Sequence, residues 1–247
     1  PIVSSFNSDR TEEWLIRLLL QVSAVDRNKV AGLILGTFGG YLESRKHPEW
    51  SKKIELDLNQ LIPEMLRLKL LEGDSSFIRL SLLGTACARS SLPLSSSMRL
   101  VEILERNQNL LLNIMTLLAL IQYLPESDVG FIPIFKRGHR ERVWPANASS
   151  IVDTQVVSAL QFGAKDTFEY AARCKRLCIL HDWINGVAID KIESSYTVNP
   201  FYSVGRGDVV RIADNTRYHL SSAVEIALII DPSADLSPEK VDSLLVR

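Results

Sequence analysis

The chain has 247 residues, 46% of them hydrophobic and 23% charged, more than one small domain needs to bury a core, so two packed domains are expected. Its 28 basic and 29 acidic residues nearly cancel, which excludes attachment to nucleic acid through bulk charge and leaves that role to local basic clusters. Three cysteines form too sparse and odd a set for a disulfide framework and fit a reducing cytoplasm.

Taken in chain order, Ser8-Asp9-Arg10-Thr11-Glu12 offers capping side chains, and Trp14, Leu15, Leu18, Leu19 and Val22 then recur at helical spacing. A second helix is predicted over 27–42, with Val30, Leu33, Ile34 and Phe38 as its stripe and Gly39-Gly40 near its stop. The charged stretch 43–53 reads as a loop. A third helix follows over 58–71, expected to bury Leu61, Ile62, Met65 and Leu66 against Leu15, Leu18, Leu19 and Ile34. The turn residues Glu72-Gly73-Asp74-Ser75-Ser76 and a short strand at Phe77-Ile78-Arg79-Leu80 complete this part. Three helices and then a hairpin-like wing is the winged-helix order, and a plain three-helix module with an irregular tail fits the same pattern.

Leu92-Pro93-Leu94-Ser95-Ser96-Ser97 is a turn and cap before helices predicted over 98–106 and 108–124. The apolar run 110–124 is interrupted by Asn113 and Gln122 and falls short of the roughly 20 residues a membrane span requires, so it reads as a buried helix. A loop is expected over 125–150, a long helical stretch over 151–185, and two further helices near 188–196 and 208–229. Ser237-Pro238-Glu239 reads as a fresh helix start. The chain starts on Pro1 without the pattern of a signal peptide, and an excised fragment cut at both ends is the expectation. The fold class is thus mainly α, a winged-helix domain (three helices plus a small β wing) over 1–92, an α-helical bundle over 93–230, and the truncated start of a further helical segment over 231–247.

Catalytic motifs are missing from the sequence. No G-x-x-x-x-G-K-[S/T] phosphate loop occurs, and Gly36, Gly39 and Gly40 lack the lysine that would follow. His47, His139, His181 and His219 stand singly, so a zinc has no ligand set, and no G-x-S-x-G elbow is present. Cys174 and Cys178, one helical turn apart with no second pair, read as two small buried side chains. Arg206-Gly207-Asp208 and Asn147-Ala148-Ser149 spell an adhesion tripeptide and a glycosylation sequon, but both need an extracellular chain, and Gly207-Asp208 reads better as a turn and helix cap.

Two basic constellations remain. Lys136-Arg137-Gly138-His139-Arg140-Glu141-Arg142-Val143-Trp144 places four fixed positive charges in seven residues before an aromatic. Arg137, Arg140 and Arg142 would hold phosphates while a base stacks on Trp144. A solvated loop with Trp144 tucked into the core fits the same residues. In the second, Lys165, Glu169, Arg173 and Arg176 recur at helical spacing with Lys175 beside them, opposite Phe168, Ala171, Cys174 and Cys178. This reads as an exposed cationic edge, or as an ordinary amphipathic helix partly neutralised by Asp166 and Glu169. As surface residues, Arg173 and Arg176 are expected to tolerate truncation to alanine within about 0.5 kcal/mol.

With these elements placed, four stretches resemble the C-terminal half of Ski-type superfamily II helicases, and within them the repair helicases of the HELQ type. They are Pro1-Ile2-Val3-Ser4 with the helix after it; 61–83 with Leu83-Gly84-Thr85-Ala86 and Leu92-Pro93-Leu94; the run from Arg173-Cys174-Lys175-Arg176 to His181-Asp182-Trp183-Ile184; and Gly207-Asp208-Val209-Val210-Arg211-Ile212-Ala213 with Leu220, Ser221 and Ala223. Two departures accompany the likeness: 196–206 is longer than the family's usual connection, and no helix-hairpin-helix region follows. The resemblance implies a ratchet domain that contacts a translocating single strand, with Arg173 and Arg176 as strand contacts. It also implies helicase motor domains of the same parent chain as partners, with ATP and magnesium bound only there. The expected function is therefore a non-catalytic nucleic-acid-binding segment of an ATP-dependent helicase, gripping single-stranded DNA or RNA in the cytoplasm, or the nucleus if the source is eukaryotic, with no membrane partner. A protein-binding scaffold is one alternative, compatible with the near-zero charge. A winged-helix transcriptional regulator is the other, for which Arg67 and Lys69 beside Glu64 form a thin basic face.

Overall fold

Helix α1 (Thr11–Leu19) turns Leu15, Ile16 and Leu19 into the core, as its apolar spacing requires. The computed structural model that shows this describes residues 10–107, 110–130, 132–134 and 143–236. Its chain divides into two units, Pro1–Leu94 and Ser95–Arg247.

In the first unit, the helix expected over 27–42 is two helices, and Thr37 is the reason. Its hydroxyl donates to the Ile34 carbonyl at 2.7 Å where α2 (Val30–Leu35) ends, and accepts from the Gly40 amide at 2.9 Å to cap α3 (Phe38–Lys46). The stretch 43–53 is correspondingly not a loop, since α3 runs to Lys46 and α4 (Trp50–Arg67) begins four residues later. The buried face of α4 is Trp50, Ile54, Leu58, Ile62 and Met65, so Ile62 and Met65 lie in the core as expected while Leu61 and Leu66 are only half-buried. Leu15, Leu19 and Ile34 are buried, and Leu18 is half-buried. Helix α4 ends with Lys69 in the left-handed region (φ 57°), where the Lys69 amide donates to the Leu66 carbonyl and the Leu70 amide to that of Met65, a Schellman closure that drives Leu70 into the core.

The wing contains one strand more than the pattern suggests. Strand β1 (Val25–Asp26) pairs antiparallel with β3 (Phe77–Leu80), which pairs antiparallel with β2 (Leu71–Gly73), in the order β1-β3-β2. Asp74 makes the β2–β3 turn by accepting from the Ser76 and Phe77 amides, and Gly73 (φ 143°) precedes it where a Cβ would meet the Phe77 carbonyl at 2.1 Å. Ser81 then caps α5 (Leu82–Arg89), whose Gly84 sits so close to α4's end that a Cβ would lie 1.9 Å from the Leu70 carbonyl. The first unit is a helical domain with a small β wing.

The second unit holds α6 (Leu94–Arg106), α7 (Ile114–Gln122), α8 (Pro125–Asp128), α9 (Trp144–Ser149), α10 (Thr154–Gln161), α11 (Thr167–Ile184), α12 (Ile189–Tyr196) and α13 (Arg206–Ile230) among its described residues. Asn113, which reads as an interruption of the apolar run, is the N-cap of α7, accepting from the Thr116 amide at 2.9 Å. The helical stretch 151–185 breaks at Gly163 (φ 68°), and Asp166 restarts it by accepting from the Phe168 and Glu169 amides. Asp208 lies in the first turn of α13 and reaches back to the Gly205 amide at 3.0 Å. Beyond α13, Asp235 pairs with Asn113 and Leu236 is buried, while the helix start at Ser237-Pro238-Glu239 lies outside the described residues. Among the described residues, no helix is long and apolar enough to cross a membrane.

Helix α11 runs through the middle of this unit, packed on by α7, α8, α9, α10, α12 and α13. Every residue from Arg173 to Leu180 is buried, so the helix has no solvent face over two turns and its polar side chains must be satisfied inside the protein.

Two measurements test this packing. Met65→Ala, at a site 1% exposed, is expected to cost about 2–5 kcal/mol in denaturant unfolding, and Leu61→Ala no more than about 1 kcal/mol; equal costs would show that the phase of α4 is wrong. Burial pushes the Cys174 and Cys178 thiols up to about 12, so both stay neutral in the folded chain at pH values where an unfolded thiol ionises. The stability this carries is complete below pH 9 and is lost as pH rises from 9 toward 12. A Cys174→Ala/Cys178→Ala double variant should show a shallower alkaline decline, and native protein should resist thiol alkylation at these sites until it unfolds.

Candidate nucleic-acid interface

The Asp128 carboxylate, at the end of the single turn α8, receives two arginines from α11. Arg173 donates through Nε at 3.2 Å to both carboxylate oxygens and through Nη2 at 2.6 Å to Oδ2, and Arg176 donates through Nη2 at 2.6 Å to Oδ1. Arg173 Nη1 also donates to the Leu160 and Phe162 carbonyls at 2.9 and 3.0 Å, which satisfies the end of α10, and its guanidinium lies 5.6 Å over the Tyr123 ring. Arg176 Nε donates to Gln122 Oε1 at 3.1 Å. Burial pulls the Arg176 pKa below its ordinary value, against Asp128, which raises it.

This overturns the exposed cationic edge. The side chains of Arg173 and Arg176 are 2% and 3% exposed, and their hydrogen-bonding capacity is spent on Asp128, Gln122 and backbone carbonyls. Lys175 is fully buried, donating to the Pro133 carbonyl at 2.9 Å with Nζ 5.2 Å over the Trp144 ring. Trp144 itself is buried and stacked on Tyr196 at 5.1 Å, which leaves no open ring for a base. Lys165 alone of the described set is exposed, and it pairs with Glu169 at 3.6 Å. Arg137, Arg140 and Arg142 lie outside the described residues. The physical reason for the correction is that spacing places residues on a side of a helix without saying what covers that side, and α11 is covered on all of them.

Exposed arginines do occur on α13, where Arg206, Arg211 and Arg217 are matched by Asp208, Asp214 and Glu225 of the same helix. Gly207, Arg211, Asp214, Tyr218, Ser221 and Glu225 form an exposed stripe at intervals of three and four residues along a helix about 37 Å long, with Arg206 and Arg217 on its flank. Tyr218 is 66% exposed, two turns beyond Arg211 on the same side. Arg211 pairs with Asp208 at 2.8 Å and Arg217 with Asp214 at 3.4 Å, exposed pairs of the kind that contribute little and exchange partners readily. Among the described residues the Arg206 side chain has no ion-pair partner. Arg206, Arg211 and Asn215 line a shallow open groove, and Arg211 and Asn215 also line a deeper cleft of about 260 Å3 with Gln122, Glu126 and Arg176. The seven-residue spacing of Arg211 and Tyr218 is the signal of this stripe in the sequence, and it is sparser than the arginine-rich run on α11.

A second cleft, of about 400 Å3 between α6 and α10, is lined by Arg99, Arg106 and the exposed Phe162, with the Arg106 guanidinium 5.8 Å over the Phe162 ring. Among the described residues, no group of three or more histidine, cysteine, aspartate or glutamate side chains could hold a metal ion.

Removing Asp128 leaves two buried guanidinium groups facing each other. Asp128→Ala is therefore expected to cost about 3–5 kcal/mol, and Arg173→Ala or Arg176→Ala a similar amount, in place of the small surface effect expected from the sequence. Urea unfolding of the three variants is the check, and losses near 0.5 kcal/mol would mean that these side chains are solvated.

The model of the family described as archaeal helicase, domain 4, matches residues 115–247. A search among curated proteins returned no match. The matched region takes in α11, the Asp128 network and the exposed stripe of α13, and the chain belongs to this archaeal helicase domain family.

Proposed function

We propose that this chain is a nucleic-acid-gripping segment of an ATP-dependent helicase of the Ski type within superfamily II, related to the HELQ repair helicases. The observation that carries the reading is the stripe of α13, where Arg206, Arg211 and Arg217 flank an exposed tyrosine along an open groove, in a chain of a helicase family. The arginines hold backbone phosphates of a single strand and Tyr218 supplies a ring on which a base stacks, a sequence-tolerant mode of binding. The second unit then acts as a ratchet-like bundle. The first acts as a winged helix that braces the motor domains, to which its exposed Phe38, Tyr41, Leu56, Phe77 and Leu82 offer apolar contact. ATP and magnesium belong to those motor domains, and this segment contributes grip.

The regulator alternative loses support from α4, because its Lys52, Lys53 and Arg67 are offset by Glu55, Asp57 and Glu64, and Arg67 is tied to Glu64 at 2.5 Å. A recognition helix needs donors directed at base edges.

Titration of a labelled dT oligonucleotide at several salt concentrations tests the proposal. Affinity should fall with salt, and Arg206→Ala and Arg211→Ala should each lower it and flatten the slope by about 0.7. Tyr218→Ala should weaken binding and leave the slope almost unchanged. All three are surface changes that should leave folding within about 0.5 kcal/mol. Salt-insensitive binding that none of the variants weakens would overturn the assignment in favour of the protein-binding scaffold.

A further inference from the structure

Glu126 carries a buried oxygen with nothing to bind. Its Oε1 accepts from Ser96 Oγ at 2.8 Å, whereas Oε2 has no hydrogen-bond partner among the described residues. A buried acceptor left without a donor costs the desolvation of that group with nothing in return, so an orphan of this kind calls for an explanation. Glu126 lines the cleft of about 260 Å3 that Arg211 and Asn215 share with the open groove. That volume is just under the roughly 300 Å3 at which small-molecule pockets begin, which suits one ring system better than a whole nucleotide.

The other polar groups around the cleft are already engaged. Gln122 donates to Thr216 and accepts from Arg176, Thr216 donates to the Ile212 carbonyl, and Asn215 Nδ2 reaches the Glu126 carbonyl at 3.4 Å. His219 is close enough to feel the Glu126 charge, yet burial holds it toward the neutral form. The functional demand of the cleft is therefore for a donor, directed at a carboxylate oxygen.

We propose that Glu126 turns its unpartnered carboxylate oxygen into the cleft to admit one unpaired guanine of the bound strand, whose N1–H and N2 amino groups donate to Oε2. These two donors are adjacent on the Watson–Crick edge, so they are available only when the base is unpaired. Adenine and cytosine offer one amino donor there and thymine one imino N–H, so each satisfies the oxygen less completely. Arg211, on the rim, holds the phosphate beside the inserted base. This inference rests on the strand-binding role of α13 and adds base preference to it.

The test uses the full chain and labelled dT oligonucleotides that differ at one central position, carrying guanine, inosine, adenine or thymine. The guanine oligonucleotide should bind about tenfold more tightly than the all-thymine one, and inosine, which lacks the 2-amino group, should fall between them. Glu126→Gln should abolish the guanine preference while changing all-thymine binding far less than guanine binding. If all four bind equally, strand binding stands and the base site is refuted. If the all-thymine oligonucleotide does not bind at all, the strand reading itself fails. Free GMP that competes as well as the guanine oligonucleotide would refute the strand-borne base in favour of a free-nucleotide pocket. The base series on the wild-type chain decides these outcomes even if the Glu126 variant folds poorly.

Discussion

The second unit is organised by one carboxylate shared between two buried guanidinium groups. Asp128 lies on a turn of four residues that could not hold a position alone, and Arg173 and Arg176 fix it against α11. Both arginines are almost wholly withdrawn from water, so each depends on that carboxylate and on uncharged oxygen acceptors to offset its desolvation. Through Arg173 the same cluster ties down the last carbonyls of α10, and through Arg176 it reaches Gln122 on α7. Four helices are thereby held in mutual register by directional bonds, where apolar packing alone would tolerate sliding.

The network continues to the surface to which strand binding is proposed. Gln122 donates to Thr216 at 3.0 Å, and Thr216 donates to the Ile212 carbonyl one turn back along α13. The buried side of α13 is thus bonded into the core while its other side presents Arg211 and Tyr218. The proposed grip on a strand needs such a rigid back, because a contact worth about 1–2 kcal/mol is lost if the side chain carrying it moves by about an ångström. Glu126 stands where the buried network meets this surface, and it is the point at which internal bonding is left incomplete.

Conserving charge balance is also what keeps the whole chain near neutrality. Most exposed cations on the helices carry an acidic neighbour three or four residues away, as in Arg67 with Glu64, Arg106 with Glu102 and Arg211 with Asp208. Such pairs keep the surface soluble without committing it to polyanions. In the proposed role, partner choice rests on the loosely paired Arg211 and Arg217 of α13, which lie near the exposed Tyr218 ring.

Local chemistry in the sequence was enough to determine that the chain is mainly helical, that a hairpin follows the third helix and that no phosphate loop is present, because apolar periodicity, turn residues and motif spacing each act over a few residues. Its cap signals are uneven: Asp208 does lie at the start of α13, whereas Gly39-Gly40, read near a helix stop, lies in the first turn of α3, and Asn113 is legible only as a polar interruption without its partner. Strand β1 was illegible because two residues carry no period and exist as a strand only through pairing with β3. Above all, the arginines of α11 and those of α13 look alike in sequence, and tertiary structure alone decided that the first set is core and the second is surface. Spacing defines the sides of a helix, but which sides meet water depends on the helices that pack around it, and for α11 these include partners more than 40 positions away, such as Asp128, Pro133 and Gln122.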